Sequence, residues 1–175
     1  MYRIIAIALS LGTALGIAYA AADPAAKPTD PHIAHIAYTA GQLDIEAGKQ
    51  ALDKSKNKDV RAFAQQMVAD HSSVNAQALA LVKKLNVTPV DNATSQSLTQ
   101  AAVASRKKFA SLDGVAFGKA YVDNEVAYHK PVNSALSDTL IPDAQNAELK
   151  SLLETGLKLF ESHLQHAEHL AKELQ

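Results

Sequence analysis

Between Val60 and Leu85 the apolar side chains fall at three- and four-residue steps: Val60, Phe63, Ala64, Met67, Val74, Ala78, Leu81, Val82 and Leu85. A strand would alternate at every second residue, so this spacing predicts a long amphipathic helix with one continuous buried face. Such a face must be covered by other elements, and the same period recurs along the chain. From Pro31 to about Asp53 it carries Ile33, Ile36, Ala37, Ala40, Ala47 and Ala51. After Asp113-Gly114 it carries Phe117, Tyr121, Tyr128, Val132, Leu136 and Leu140. A last stripe, expected to start at Ile141-Pro142-Asp143, runs through Leu149, Leu152, Gly156, Leu159, Phe160, Ala167, Leu170 and Leu174. No alternating β-branched run and no hairpin dipeptide between such runs is present, so the sequence predicts an all-α fold.

The connections order these helices. Asp30-Pro31 is a start signal, with Asp as N-cap and Pro in the first turn. Lys54 to Lys58 is a short break, which makes the first two helices antiparallel neighbours. Val87 to Leu112 is longer and less regular; Leu98, Ala101, Ala102, Ser105 and Phe109 predict a short helix inside a crossover between helices 2 and 3. Short, long and short connections describe a four-helix bundle of the ferritin-like, one-crossover form. Pro131 lies inside the third helix and is expected to kink or split it near His129.

The amino terminus reads as an export signal. Arg3 supplies a positive start, Ile4 to Ala18 an uncharged apolar run, and Ala18-Tyr19-Ala20 a small-x-small cleavage site. The apolar run is short for the roughly 20 residues that span a bilayer. The expected organisation is a signal peptide over 1–20, a flexible leader over 21–29 with Pro24 and Pro28, and one helical domain over 30–175. That places the mature chain in the cell envelope, periplasmic or secreted, with no integral membrane span after cleavage. The formal charge of -1 gives no basic field for nucleic acid, and Arg106-Lys107-Lys108 reads as a solvated helix face. No protein partner is named by the sequence. Without cysteine, thiolate chemistry and Cys-ligated metals are excluded, and histidine and carboxylate are left as the good ligands.

The chain has seven histidines, and helical wheels sort them. At 100° per residue, His71 falls about 20° from Val60, inside the apolar stripe of the second helix, and His163 falls about 20° from Leu152 in the last. His166 falls at the edge of that stripe and His169 outside it. The other two helices each offer a carboxylate: Asp44 lies about 20° from Ile33, and Glu125 about 80° from Phe117, one turn before His129. Asp44, His71, Glu125 and His163 all lie near the middle of the bundle, so a shared layer is expected. Asp44, His71, Glu125, His129 and His163 are therefore the candidate metal ligands, with Zn, Cu, Fe or Mn as the ions that imidazole and carboxylate suit. The competing reading is a hydrogen-bonded polar layer with no metal. The residues three before His71 and His163 are Val68 and Phe160, so the Glu-x-x-His pairs of di-iron carboxylate bundles are missing. His32 and His35 form an H-x-x-H pair in the first turn of the first helix, and His163, His166 and His169 an i, i+3 series; either spacing could bind a metal weakly at the surface, with solvated polar positions the commoner explanation for His32, His35, His166 and His169.

Three segments carry a resemblance: AGQLDIEAGKQALDKSKNKDVRAFAQQMVADH (Ala40 to His71), FGKAYVDNEVAYH (Phe117 to His129) and HLQHAEHL (His163 to Leu170). Together they resemble the bacterial exported family known as domain of unknown function 4142, over about Pro31 to Leu174. The resemblance implies a ferritin-like helical bundle, export, and no assigned biochemical role. It also implies that the family's recurrent histidines fall on His71, His129 and His163, and that an acidic position, usually Glu, falls on Asp44. The sequence thus predicts a non-catalytic bundle of the cell envelope with a His/carboxylate core layer of structural or metal-binding use. The alternative is a metal-dependent oxidoreductase of ferritin-like descent.

Overall fold

A computed structural model describes residues 27–174; the expected signal peptide and most of the leader lie outside them. The described residues are almost entirely helical, and no strand occurs among them. Helix α1 is Asp30–Lys54, α2 is Lys58–Lys84 and α3 is Ala93–Ala110. Helix α4 is Gly114–Ala135 and runs on through a π turn (Leu136–Leu140) and a last short piece (Ile141–Asp143). Helix α5 is Ala147–Glu173. Antiparallel α1 and α2 pack along each other, α4 packs along α5, α2 meets α5, and α1 meets α4. Helix α3 lies mainly against α1, with fewer contacts to α4.

Local chemistry sets the ends. Asn57 and Asn146 each accept two backbone N–H groups in the first turns of α2 and α5, and Asn92 accepts from Ser95 in α3. Helix α2 closes with a Schellman turn: Val87 donates to the Val82 carbonyl and Asn86 to Lys83, with Asn86 at φ 53°. Asparagine tolerates that left-handed conformation better than other side chains.

Three expectations are corrected. The N-cap of α1 is Thr29, one residue earlier than expected; Asp30 instead uses both carboxylate oxygens to accept the backbone N–H groups of Gln145 and Asn146. Pro131 does not split α4, which passes through it unbroken. Ala127 and Pro131, the two ends of the turn that the ring disturbs, are both exposed. The irregularity comes later, as the π turn. Finally, Ile141-Pro142-Asp143 ends α4 rather than starting the last helix, which begins after Asn146.

The interior has two apolar regions. One contains Ala47, Ala51, Val60, Phe63, Met67, Phe117, Tyr121 and Leu170; the other contains Ile33, Ile36, Leu81, Leu136, Leu140, Leu149, Leu153 and Phe160. On every one of the four long helices the same order holds. One apolar set is followed by a polar residue, then by the other apolar set.

Candidate metal centre

Those polar residues are Asp44 on α1, His71 on α2, Glu125 and His129 on α4, and His163 on α5, each between 0% and 3% exposed. Being eleven residues past an inward-facing apolar residue brings Asp44, His71 and His163 back to the inward face after three turns. The structure brings all five expected residues together. The three imidazoles form a triangle, with ring centroids 5.3 Å apart for His71–His163, 5.6 Å for His129–His163 and 5.8 Å for His71–His129. Asp44 Oδ2 lies 3.4 Å from His71 Nε2 and 3.6 Å from His129 Nε2. Glu125 Oε2 lies 3.7 Å from His129 Nδ1. Ligand atoms of His71, His129 and His163 all lie within 4.8 Å of one another, as do those of Asp44, Glu125 and His129. His129 belongs to both groups.

Outer contacts hold two of the rings in place. His129 Nδ1 is 3.0 Å from the Glu125 backbone carbonyl, an atom that can only accept. The proton of a neutral His129 is therefore on Nδ1, and Nε2 presents a lone pair toward Asp44. His163 Nε2 is 2.8 Å from Asp70 Oδ2, which leaves Nδ1 on the inner side. His71 is held by stacking instead, its ring 4.5 Å from that of Phe160 with 16° between the planes. Inside this frame, both His71 nitrogens, His129 Nε2, His163 Nδ1 and the Tyr121 hydroxyl have no hydrogen-bond partner among the described residues, and the Asp44 and Glu125 carboxyls have only each other, through a single shared proton. Tyr128 is different, since its hydroxyl donates to the Ala40 carbonyl at 2.9 Å.

Burial sets the electrostatics. It pushes the Asp44 carboxyl up to about 7. The Glu125 carboxyl is pushed well above the usual range by burial and by the neighbouring charge of Asp44. Burial lowers the imidazoles: His71 well below its ordinary value, with repulsion from His129 and His163 adding to it. His129 falls to about 4, despite its bond to the Glu125 carbonyl. His163 is lowered less, because Asp70 works against burial. The imidazoles are thus neutral at pH 7 with lone pairs available, while the two carboxyls share a buried site beside them. So many buried polar atoms without partners cost free energy, about 1–3 kcal/mol each when nothing answers them.

The remaining histidines have other uses. His32 Nδ1 accepts from the Thr29 backbone N–H at the start of α1, and His35 bonds to Ser95 on α3. His166 meets Gln66 and the edge of the Phe63 ring, and His169 pairs with Glu173 on the surface. Sequence reasoning missed Asp70, Tyr121 and Phe160 as parts of the site. Asp70 sits about 280° from Val60 on the wheel, off the apolar stripe, and its carboxylate reaches inward from the rim. Tyr121 and Phe160 look like ordinary members of the apolar stripe. A cavity of about 270 Å³ between α1, α3 and α4 leads to the carboxylates, lined by Asp44, Glu125, Asn124, Ser105 and Arg106 among others.

The profile of domain of unknown function 4142 matches residues 17–170, most of the chain. The chain belongs to that family. Its function is unassigned, and no curated protein matches this DUF4142 chain. Two solved structures share the fold. One is a DUF305 protein of Streptomyces coelicolor, described as secreted: 14% identity, TM-score 0.66, covering 82% of this chain and 91% of that one. The other is a DUF305 fragment from Deinococcus radiodurans: 11% identity, TM-score 0.69, covering 85% and 99% respectively. None of the described helices is long and apolar enough to cross a membrane.

Proposed function

We propose that this DUF4142 protein is an exported metal-binding bundle that holds one transition-metal ion between His71, His129, His163, Asp44 and Glu125. The observation that carries the reading is the set of inward-facing donor atoms without partners, framed by histidines whose outer nitrogens are already used. A histidine that ligates a metal characteristically donates its other N–H to a carboxylate or a backbone carbonyl, as His163 does to Asp70 and His129 to Glu125. Donor separations of 3.4 Å and 3.6 Å are close to the edges of a coordination shell with bonds of roughly 2.0–2.2 Å. Neutral imidazoles with one or two carboxylates suit Zn, Cu, Fe or Mn. An ion there would answer the buried lone pairs and offset the charge of two carboxylates.

The helix arrangement fits a ferritin-like bundle in which α1, α2, α4 and α5 surround the layer and α3 is the crossover. The expected signal peptide and the secreted description of the Streptomyces relative support export. A catalytic use is favoured by one observation, the cavity that gives small molecules a path to Asp44 and Glu125. A metal site with such access can bind an exogenous molecule as well as hold its ion.

The test is elemental analysis of protein purified without an affinity tag from cells supplied with Zn, Cu, Fe and Mn. About one equivalent of a single metal per chain is expected. His71→Ala, His129→Ala and His163→Ala should each empty the site, while His169→Ala keeps it. Less than about 0.1 equivalent, with no thermal shift on adding any of the four ions, overturns the reading.

A further inference from the structure

Two cavities flank the polar layer, and they treat a cation differently. One, of about 290 Å³ toward the Ile33/Leu149 end, is walled by Ile36, Val82, Leu136, Leu153 and Phe160 among others, and no charged residue lines it. Asn75 and Tyr128 in that wall are already engaged, donating to the backbone carbonyls of Tyr38 and Ala40. An ion that gave up its water there would find no partner. The other, of about 270 Å³ between α1, α3 and α4, has Asp44, Glu125, Ser105 and Asn124 in its wall. Water takes roughly 30 Å³ per molecule, so an ion can approach those carboxyls with much of its hydration in place.

The charge balance of that second wall suits a cation. Two carboxyls belong to it, and its guanidinium, that of Arg106, is already neutralised by an ion pair with Glu46. The Arg106 and Glu46 side chains are 29% and 37% exposed, so the pair stands between the cavity and solvent. The helix above is lightly held. Of the 18 residues of α3, Ser95 and Phe109 near its two ends are the buried ones, and nothing between Leu98 and Arg106, the stretch over the cavity, is buried. A segment with so few buried contacts opens at a lower free energy than the rest of a bundle. On the α2–α5 side, by contrast, the approach past Asp70 is taken up by its 2.8 Å bond to His163 Nε2.

We propose that the ion of the metal layer is exchangeable cargo, loaded and unloaded through the cavity under α3 while the bundle stays folded, with the Glu46–Arg106 pair controlling the passage. The inference rests on the metal reading and adds a route and a use to it: the protein carries or stores a divalent transition metal instead of being pinned by a permanent one. An incoming cation exchanges water for Asp44 and Glu125 before it reaches His71 and His163, because the carboxyls line the cavity and those two imidazoles do not. The Glu46 carboxylate attracts the ion at the mouth and the Arg106 guanidinium repels it, so the two act on the rate in opposite directions. Small residues of α3, Ala101 and Ala102, leave the passage open.

Stopped-flow zinc uptake, zinc release into excess chromophoric chelator and the rate of global unfolding, all on the full-length mature protein, test it together. Release should outrun global unfolding about tenfold or more, since the ion leaves a folded bundle. Filling the cavity with Ala102→Leu should slow uptake and release by a similar factor, about fivefold or more, and leave the dissociation constant within about twofold. Ala127→Leu, an exposed position on the same cavity, serves if that variant fails to fold. Arg106→Gln should speed uptake several-fold and Glu46→Gln should slow it, both effects shrinking as salt is raised. Lys84→Gln, which breaks an ion pair with Glu148 at the far end of α2, should change neither rate. Release that tracks global unfolding, or rates unmoved by the filled cavity, overturns the proposal while leaving the metal reading intact. Equal effects of Arg106→Gln and Lys84→Gln would make the charge effect a general one and overturn control by the Glu46–Arg106 pair. A protein that takes up no zinc at equilibrium overturns the metal reading itself, and this inference with it.

Discussion

Asp70 shows how much of this site depends on a residue that touches none of the inward donors. Its side chain is 31% exposed, yet it holds Nε2 of His163, whose own side chain is 0% exposed. The pairing fixes which nitrogen faces the layer and raises the basicity of that nitrogen. Asp70→Asn keeps a hydrogen-bonding group in place but loses the charge. Metal affinity should fall about 10–100-fold with the fold intact, read by competition against a chromophoric chelator. A second consequence concerns protons. Binding a cation requires Asp44 and Glu125 to be ionised, but burial raises both, Asp44 to about 7. The histidines lie lower and are already neutral near pH 7, so they release nothing there. The sign follows: below about pH 7 each bound ion must expel at least one carboxyl proton, and affinity should fall as pH falls. Over pH 7 to 6 the apparent constant should drop up to about tenfold per proton released, and calorimetry in buffers of different ionisation enthalpy counts those protons. A pH-independent constant over that range would contradict it.

At the level of helices, close approach between α1 and α2 is what brings Asp44 to His71. Gly48, one turn after Asp44, allows it: a Cβ there would lie 2.9 Å from Val68 Cγ2 and 3.2 Å from the Ala64 carbonyl. The backbone cannot yield as a flexible side chain would, so Gly48→Ala should cost about 1–3 kcal/mol in spite of alanine's better helix propensity. Chemical denaturation measures it, and a neutral or stabilising result would mean that the two helices slide apart easily. The helices themselves were legible because apolar period and polar interruptions coincide: Asp44, His71 and His163 replace an apolar residue at the same phase of three stripes. Less legible were the features decided by tertiary contact. Asp30 looks like an N-cap and acts as a clamp on the α4–α5 link, because Thr29 with His32 caps the helix first. Pro131 reads as a break, but its side of α4 faces solvent and the helix continues. Phe160 was read as one more core residue, since nothing in the sequence says that its ring would lie flat on His71.

Across the whole molecule, the polar layer divides two apolar regions and joins four helices through five side chains, so its state should govern global stability. Without a metal, the layer is a stack of buried groups whose bonding capacity goes unused, and removing one is cheap or favourable. With a metal, the same group closes a link between helices, and removing it discards binding energy that only the folded state enjoys. His71→Leu therefore has opposite effects in the two states. In chelator it should leave the melting temperature unchanged or raise it, because a well-packed apolar side chain replaces an unsatisfied one beside Phe160. The wild-type chain with an ion at about one hundred times its dissociation constant gains about 2.7 kcal/mol. For a domain of this size that is a rise of roughly 5–10 °C, and the variant should show almost none of it. Paired thermal melts, with chelator and with saturating ion, read both quantities in one experiment. A purely structural polar layer would give the same change for His71→Leu under the two conditions, and a metal layer gives a change that reverses sign.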